Sequence, residues 1–233
     1  MRVLGLIPAR GGSKGVPRKN IKLLGGQPLI NYSIASGLAC PLIEQVVVST
    51  DDEEIAQISR EAGANVPFMR PAKLASDKSP TIDTVVHALQ FFLDHGELYE
   101  AVCLLQPTVP FRDARDLTAA VQLFVDDVTD SLISVREVPH VYHPHWVYKE
   151  NVETGYLEKA ISDPLISRRQ DLPPAYHRDG SVYISNSGVI LKEHSLYGQS
   201  INRFVMAHSP NINIDTMEDW EAAEQYVNTH LNQ

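Results

Sequence analysis

A stretch near the start of the sequence, from Ile7 to Asn20, combines glycines with cationic and amide side chains. Glycine lets backbone N–H groups turn toward a ligand without hindrance from a Cβ atom. Backbone donors together with point charges are what a polyphosphate requires. The candidate phosphate-binding residues are Arg10, Gly11, Gly12, Ser13, Lys14, Lys19 and Asn20. The alternative is a solvated loop that carries scattered basic residues.

The spacing of this stretch matches neither of the two common glycine motifs for nucleotides. A Walker A loop places Lys and then Ser or Thr directly after its last glycine, whereas here Ser13 precedes Lys14. A dinucleotide fingerprint needs Gly-x-Gly-x-x-Gly, which Gly11, Gly12 and Gly15 do not form. We therefore predict a phosphate loop of another kind.

Short apolar runs alternate with helical patterns along most of the chain, which predicts the α/β class with a parallel sheet covered on both faces. The predicted strands are Val3–Ile7, Gln45–Thr50, Ala64–Met69, Ala101–Leu105, Ser131–Val135, Ser181–Ser185 and Val189–Leu191. The predicted helices are Pro28–Leu38, Glu53–Ala62, Ser79–His95, Asp113–Phe124 and Glu218–Leu231. Ligands bind outside the C-terminal ends of such strands. The glycine-rich stretch, Asp51-Asp52 and Gln106 should therefore face one crevice.

Composition narrows the class of protein. The chain has 233 residues, 43% of them hydrophobic, and a net charge of −9. It is long enough for one domain, 1–233, and its negative charge argues against a nucleic-acid partner. No run approaches eighteen apolar residues, and the chain enters a strand almost at once, so neither a membrane partner nor a signal region is expected. Cys40 and Cys103 lie among apolar neighbours and are expected to be reduced thiols of a cytoplasmic protein.

The segment 139–178 departs from the strand–helix pattern. It is rich in proline and poor in periodicity, which predicts an excursion from the sheet: a flap, a hairpin arm or a contact surface for a second chain. His140, His143 and His145 have no helical spacing and no accompanying cysteine, which argues against zinc. Near its end, a cluster of positive charge could clamp a carboxylate or could be ordinary surface charge; it consists of Arg168, Arg169, His177 and Arg178.

Two further polar residues follow apolar runs. Asp215, after the short predicted strand Asn211–Ile214, could bind Mg²⁺ together with phosphate oxygens. Alternatively, Asp215 or Thr216 caps the final helix, with Asp219 completing a capping box. Gln106 has an amide that can both donate to and accept from the edge of a base.

Five stretches in this order resemble the motifs of the acylneuraminate cytidylyltransferases, from residue 3 to about residue 225. They are IPARGGSKG with Lys19-Asn20, RPAKLA from Arg70, QPTVPFR from Gln106, RQDLP from Arg169, and IDT from Ile214. The resemblance implies a three-layer, Rossmann-like nucleotidyltransferase fold with a mostly parallel sheet and an inserted dimerisation arm at 139–178. It also implies a cytoplasmic homodimer or dimer of dimers.

The resemblance further implies a reaction and its residues. The anomeric hydroxyl of an acidic nine-carbon sugar attacks the α-phosphate of CTP, so that a CMP-sugar forms and pyrophosphate leaves, with Mg²⁺ required. Lys14, Arg10 and Asp215 would be catalytic, with Lys14 aimed at the α-phosphate. The nucleotide would be bound by Arg10, Gly11, Gly12, Ser13, Lys14, Lys19, Asn20, Arg70, Thr81 and Gln106. The sugar would be bound by Gln106, Arg169, Gln170 and Arg178, and the metal ion by Asp215 and Asn213.

Two positions depart from the family pattern. The family commonly has two aspartates before the final helix, but Asn213 replaces the first, which argues against a second metal ion. The usual Asn-Gly after the arm is Asp179-Gly180, and the added negative charge is unfavourable near an acidic sugar unless it meets an amine or hydroxyl. These departures leave open a legionaminic or pseudaminic acid substrate, or a GTP-using relative. A further alternative is a nucleotidyltransferase of the same fold that acts on a deoxy-octulosonate or a phosphorylated sugar, against which Arg169-Gln170 argues. A non-catalytic nucleotide-binding protein is supported only by Asn213.

Overall fold

The computed structural model describes residues 1–164, 166–206 and 208–230. Its strands, in chain order, are β1 (Val3–Pro8), β2 (Leu23–Leu24), β3 (Gln27–Pro28), β4 (Gln45–Ser49), β5 (Ala101–Leu104), β6 (Ser131–Glu137), β7 (Tyr148–Glu150), β8 (Leu157–Lys159), β9 (Tyr176–Asn186) and β10 (Ile201–Val205). The helices are α1 (Leu29–Leu38), α2 (Glu53–Glu61), α3 (Thr81–Asp94), α4 (Ala114–Asp126), α5 (Ser187–Glu193) and α6 (Met217–His230). None of these helices is both long enough and apolar enough to cross a membrane.

Six strands form the central sheet in the order β10-β6-β9-β5-β1-β4. β1 lies between β4 and β5 and is parallel to both, with Leu6 opposite Val47 on one side and Leu104 on the other. β9 runs antiparallel to β5. The predicted α/β class with a mostly parallel sheet is confirmed. The strand ends of β1, β4 and β5 meet at one edge of the sheet.

The central strand β1 has apolar side chains on both faces. Val3 and Ile7 join a cluster with helices α1, α2 and α4, whereas Leu4 and Leu6 join a second cluster with α3 and α5. Successive side chains of a strand point to opposite faces. A continuous apolar run is therefore what a sheet covered by helices on both faces requires.

A third apolar cluster joins the two ends of the chain. Val16 of the glycine-rich stretch is fully buried beside Ile214 and Trp220, which flank the start of α6. Burial of these side chains fixes α6 against the early part of the chain, because apolar surface removed from water contributes about 25 cal/mol per Å².

Three predicted strands were wrong. Val189–Leu191 lies in α5, where Asn186 caps the helix by accepting from the N–H of Gly188 and Ile190 packs beside α3. Ala64–Met69 runs beside β4 but forms only isolated bridges, since Pro67 has no N–H to donate. Asn211–Ile214 is not a strand, although the N–H of Ile214 donates to the carbonyl of Thr108 at 2.8 Å.

The edge strand β10 was not predicted, because its alternating pattern is short and largely exposed. The last residue of the predicted final helix, Leu231, lies outside the described residues.

The chain divides into two compact units. The core unit comprises residues 1–134 and 179–233, and the arm unit comprises Val135–Arg178. Within the arm unit, β7 and β8 form an antiparallel hairpin. The predicted excursion had the bounds 139–178, and its role in dimerisation stays a prediction.

Candidate active site

The core unit contains a cleft of about 300 Å³ beyond the C-terminal ends of β1, β4 and β5. Pro8 ends β1, and Gln106, Pro107 and Thr108 follow β5. The cleft is lined by Pro8, Arg10, Gly12, Ser13, Lys19, Asn20, Arg70, Leu74, Ser76, Asp77, Ser79, Thr81, Thr84, Gln106, Pro107 and Thr108. This position is the expected one for a ligand of a parallel α/β sheet.

Carboxylates after β4 hold the glycine loop, which we define as residues 9–20. Asp51 accepts a hydrogen bond from the backbone N–H of Gly11 at 3.0 Å. Asp52 caps α2 and is paired with Arg18, which lowers the pKa of that carboxyl. The backbone of Arg18 lies in the left-handed region, at φ 52°, which few residues other than glycine adopt. Asp51 and Asp52 were expected to face the crevice, but in the structure they anchor the loop beside it.

The glycine loop also contacts the segment before α6. Lys19, whose side chain is only 12% exposed, donates from Nζ to the carbonyl of Ile214 at 2.6 Å and lies 3.3 Å from Asp215 Oδ1. A Cβ atom at Gly15 would lie 1.9 Å from the carbonyl oxygen of Asp215. Asn20 supports the loop from within, since its Nδ2 donates to the carbonyl of Arg10 at 2.9 Å.

Two cations of the loop share one carboxylate. Asp77 lies 2.8 Å from the guanidinium of Arg10 and 2.6 Å from the ammonium of Lys14. Its bonds to Lys14 and Arg10 hold the pKa of Asp77 below its ordinary value. The Lys14 side chain is 83% exposed. Two of the three loop cations predicted to contact a triphosphate therefore meet a negatively charged partner from the segment before α3.

A buried cation also lines the cleft. Arg70 is 6% exposed, and its guanidinium donates to Oγ and the backbone carbonyl of Ser49, at the end of β4. Burial lowers the pKa of Arg70 to about 10, so it is protonated at neutral pH. Thr81 and Thr84, in the first turn of α3, and Gln106 complete the polar surface of the cleft.

The Ile214-Asp215-Thr216 stretch had two interpretations, metal binding and capping of the final helix. In the structure, Thr216 caps the helix and Asp215 does not. Thr216 and Asp219 form the capping box: Thr216 Oγ1 accepts from the N–H of Asp219, and Asp219 Oδ2 accepts from the N–H of Thr216. The Asp215 carboxylate is left 62% exposed, beside Lys19 and Asn213.

In the structure, Asn213 Nδ2 donates to Asp215 Oδ2 at 2.7 Å. A carboxylate and an amide are types of side chain that would hold one Mg²⁺ ion together with phosphate oxygens. Among residues 1–164, 166–206 and 208–230, no three His, Cys, Asp or Glu side chains are grouped to hold a metal ion by themselves.

The Asp179 that replaces the expected asparagine is buried and hydrogen-bonded. Its carboxylate accepts from Oγ of Ser134 and from Oγ of Ser181. The additional negative charge of Asp179 is therefore hydrogen-bonded to hydroxyl groups of the protein.

The structure brings most of the predicted nucleotide-binding residues to one surface. Those that line the cleft are Arg10, Gly12, Ser13, Lys19, Asn20, Arg70, Thr81 and Gln106. Gly11 and Lys14 belong to the same loop, and Asp215 and Asn213 adjoin it through Lys19. Arg169, Gln170 and Arg178 belong to the arm unit. The individual roles of all these residues stay predictions.

Sequence reasoning missed several lining residues, among them Ser76, Asp77, Thr84 and Thr108. Thr84 could have been found from its place one turn after Thr81 on the same helix. Asp77 had no such signal, because its partners Arg10 and Lys14 are more than sixty residues away in the chain.

Gly15→Ala should lower the free energy of unfolding by about 1–3 kcal/mol, because the new methyl group would overlap the backbone of Asp215. Thermal or urea unfolding measures this change. The matched control is Gly12→Ala, for which nothing in the described chain lies within 4 Å of the added Cβ. Equal stability of the two variants would contradict the close approach of the loop to Asp215.

Comparison with known proteins supports the expected family. A family model described as cytidylyltransferase matches residues 4–231. The CMP-N,N'-diacetyllegionaminic acid synthase of Legionella pneumophila is 35% identical over 235 residues, covering 100% of this chain and 98% of that protein. The pseudaminic acid cytidylyltransferase of Campylobacter jejuni is 33% identical over 224 residues, covering 96% of this chain and 95% of that protein.

A solved structure shares the fold. The CMP:2-keto-3-deoxy-manno-octonic acid synthetase complexed with CTP superposes with a TM-score of 0.74 at 20% identity, covering 98% of this chain and 99% of that one. With the basic loop and the strand-end cleft, these matches establish that the chain belongs to the cytidylyltransferase family, as its motifs predicted.

Proposed function

We propose that this protein transfers CMP from CTP to the anomeric hydroxyl of a sialic-acid-like nonulosonic acid and releases pyrophosphate. The observation that carries the proposal is the convergence of Arg10, Lys19 and Arg70 with Gln106 in one strand-end cleft. The relatives named for legionaminic and pseudaminic acid, which match nearly the whole chain, support the class of acceptor.

The cations of the cleft suit a reaction in which the leaving group is a polyanion. The sugar hydroxyl forms a bond to the α-phosphorus and releases its proton to water, while the bond from that phosphorus to the bridging oxygen breaks and pyrophosphate takes the electron pair. Such a transfer depends on positioning and on neutralisation of charge rather than on a covalent enzyme intermediate. In the proposal, Arg10, Lys14 and Lys19 hold the triphosphate beside backbone N–H groups of the glycine loop, with Lys14 at the α-phosphate.

The proposal also assigns roles to the remaining predicted residues. Arg70, Thr81 and Gln106 surround the cytidine, and the amide of Gln106 can donate to and accept from the base or the sugar. A Mg²⁺ ion would be held by Asp215 and Asn213 and would neutralise charge on the phosphate oxygens. Arg169, Gln170 and Arg178 of the arm unit are proposed to hold the carboxylate of the sugar, since a guanidinium matches a carboxylate in two hydrogen bonds.

The proposal includes a cytoplasmic homodimer. Cys40 and Cys103 are buried free thiols, as suits a reducing compartment. The arm unit exposes large apolar side chains: Val141, Tyr142, Tyr148, Val152, Tyr156 and Leu157. Exposed apolar groups of this kind favour contact with a second chain.

The function is tested by measuring pyrophosphate release with CTP and a panel of acids: N-acetylneuraminic, legionaminic, pseudaminic and 3-deoxy-octulosonic. We expect release with at least one nine-carbon acid, formation of the CMP-sugar by mass, and loss of both when EDTA removes Mg²⁺. Activity with the eight-carbon acid alone, or with GTP alone, would overturn the assigned acceptor or base. Release with none of the acids would favour a non-catalytic nucleotide-binding protein.

Lys14→Ala should reduce kcat at least about 100-fold, because in the proposal the ammonium of Lys14 neutralises charge on the reacting phosphate. The protein should stay folded, because the Lys14 side chain is 83% exposed. Steady-state pyrophosphate release and the unfolding midpoint measure the two effects. Lys192→Ala, which removes an exposed lysine from α5, is the control. Near-normal turnover by Lys14→Ala would exclude Lys14 as a catalytic residue.

Asp77→Asn should tighten the binding of CTP and of inorganic tripolyphosphate about two- to fivefold, because Asp77 competes with phosphate for Arg10 and Lys14. Cytidine binding should not change. Calorimetry measures all three affinities, and Asp94→Asn, at the far end of α3, makes the same change of net charge. Weaker triphosphate binding by Asp77→Asn would mean that Asp77 assists the ligand instead of competing with it.

Leu157→Lys should shift the protein from twice its chain mass of 25.9 kDa toward the monomer in sedimentation velocity, because Leu157 is 72% exposed on the arm hairpin. Leu98→Lys changes an exposed leucine of the core unit and should leave the mass unchanged. A monomeric wild-type protein would contradict the proposed homodimer.

A further inference from the structure

Arg112 lies behind the cleft, six residues after Gln106, and is 4% exposed. Its guanidinium reaches three separate parts of the core unit. Nε donates to the carbonyl of Ser181 in β9 at 2.5 Å, and Nη1 lies 3.4 Å and 3.3 Å from the hydroxyls of Ser33 and Ser36 in α1. Nη2 donates to the carbonyl of Gln106 at 3.2 Å.

Burying this cation is costly for the folded state. Every hydrogen bond of Arg112 in the described part of the chain ends on a neutral oxygen. Burial lowers the pKa of Arg112 to about 10, but the group remains charged at neutral pH. An apolar side chain of similar volume would fill the same space without loss of hydration. The fold therefore carries a cost that packing alone does not explain.

Ser181 connects Arg112 with a buried carboxylate, that of Asp179. Ser181, whose carbonyl accepts from Arg112, donates from its own N–H to Asp179 Oδ1 at 3.1 Å. Asp179 is itself buried and stabilises the positive form of Arg112. This arrangement keeps the guanidinium charged in an apolar interior, where its hydrogen bonds are stronger than in water.

The guanidinium of Arg112 also donates to the backbone of Gln106, a residue that lines the cleft. The carbonyl of Gln106 accepts from Arg112 Nη2, from Ser33 Oγ at 3.3 Å and from the N–H of Val109 at 3.3 Å. These bonds orient the peptide after β5 relative to α1 and β9. The direction in which the Gln106 side chain leaves the backbone is therefore set from behind the cleft.

We propose that Arg112 is a positioning residue, which fixes the Gln106 backbone so that the Gln106 amide is held in place for substrate. The inference rests on the proposed function, because it assumes that Gln106 contacts CTP or the sugar. The inference adds a claim that can be tested separately, namely that Arg112 acts only through Gln106. Removing Arg112 should then matter little once the Gln106 amide is gone.

A double-mutant cycle tests this coupling. The variants are Arg112→Met, Gln106→Ala and the two combined, with Arg112→Lys as a variant that keeps the charge but not the planar fork. Arg60→Met, which removes an exposed arginine from α2, is the control. For each we would measure the unfolding midpoint, the CTP affinity by calorimetry, and kcat and KM for pyrophosphate release.

We expect Arg112→Met to lower kcat/KM about 10- to 100-fold, as small displacements of a substrate-contacting group do. The variant should unfold at a lower midpoint than the wild type but remain folded at the assay temperature, because the carbonyl of Ser181 loses a buried donor. The combined variant should lose little more than Gln106→Ala alone, because both changes remove one interaction. Arg112→Lys should fall between the wild type and Arg112→Met. Arg60→Met should remain within about twofold of the wild type.

Additive losses in the cycle, or wild-type kcat/KM in a folded Arg112→Met, would overturn the inference. If Arg112→Met does not fold, the cycle is run with Arg112→Lys, and wild-type kcat/KM in that variant overturns it equally. A wild-type protein that neither binds CTP nor releases pyrophosphate contradicts the proposed function instead. The two failures are therefore distinguished by the wild-type measurement.

Discussion

The contact between the glycine loop and the segment before α6 is the interaction on which the site depends. It joins residues about 200 positions apart: Gly15 passes against the backbone of Asp215, and Lys19 donates to the carbonyl of Ile214. Burial of Val16 beside Ile214 and Trp220 supplies the apolar part. Without this contact, the cations of the loop and the carboxylate of Asp215 would lie on unrelated surfaces, and the site proposed for phosphate and a metal ion could not form.

The charges around the cleft are fixed to different extents. Arg70 and Arg112 are buried and bonded to backbone carbonyls, so their positions are set by the folding of the core unit. Arg10 and Lys14 are more exposed, and they are paired with Asp77. Fixed dipoles and charges in a partly buried site act on a polyanion without reorganising, whereas exposed cations are weaker because solvent screens them. A protein of net charge −9 thereby presents a basic surface at one place.

Much of the fold could be predicted because long apolar runs and helical periodicity are local signals. β1, β4, β5 and the helices α1 to α4 follow from such patterns. The failures lie where tertiary contacts outweigh local preference. Val189–Leu191 has strand-forming residues, but the cap at Asn186 and the packing of Ile190 make it helical. Pro67 interrupts a segment that otherwise runs beside β4.

The sequence by itself determined the types of residue in the site and, through the order of the motifs, the family. Gly11, Lys14, Arg70, Gln106 and Asp215 each follow a recognisable strand or motif. Only the tertiary structure decided which of them meet, because spatial proximity depends on how the strands pair and not on spacing along the chain. It placed Asp77 against the loop cations, assigned the helix cap to Thr216 rather than Asp215, and set Arg112 behind Gln106. These contacts join distant segments, and no local pattern records them.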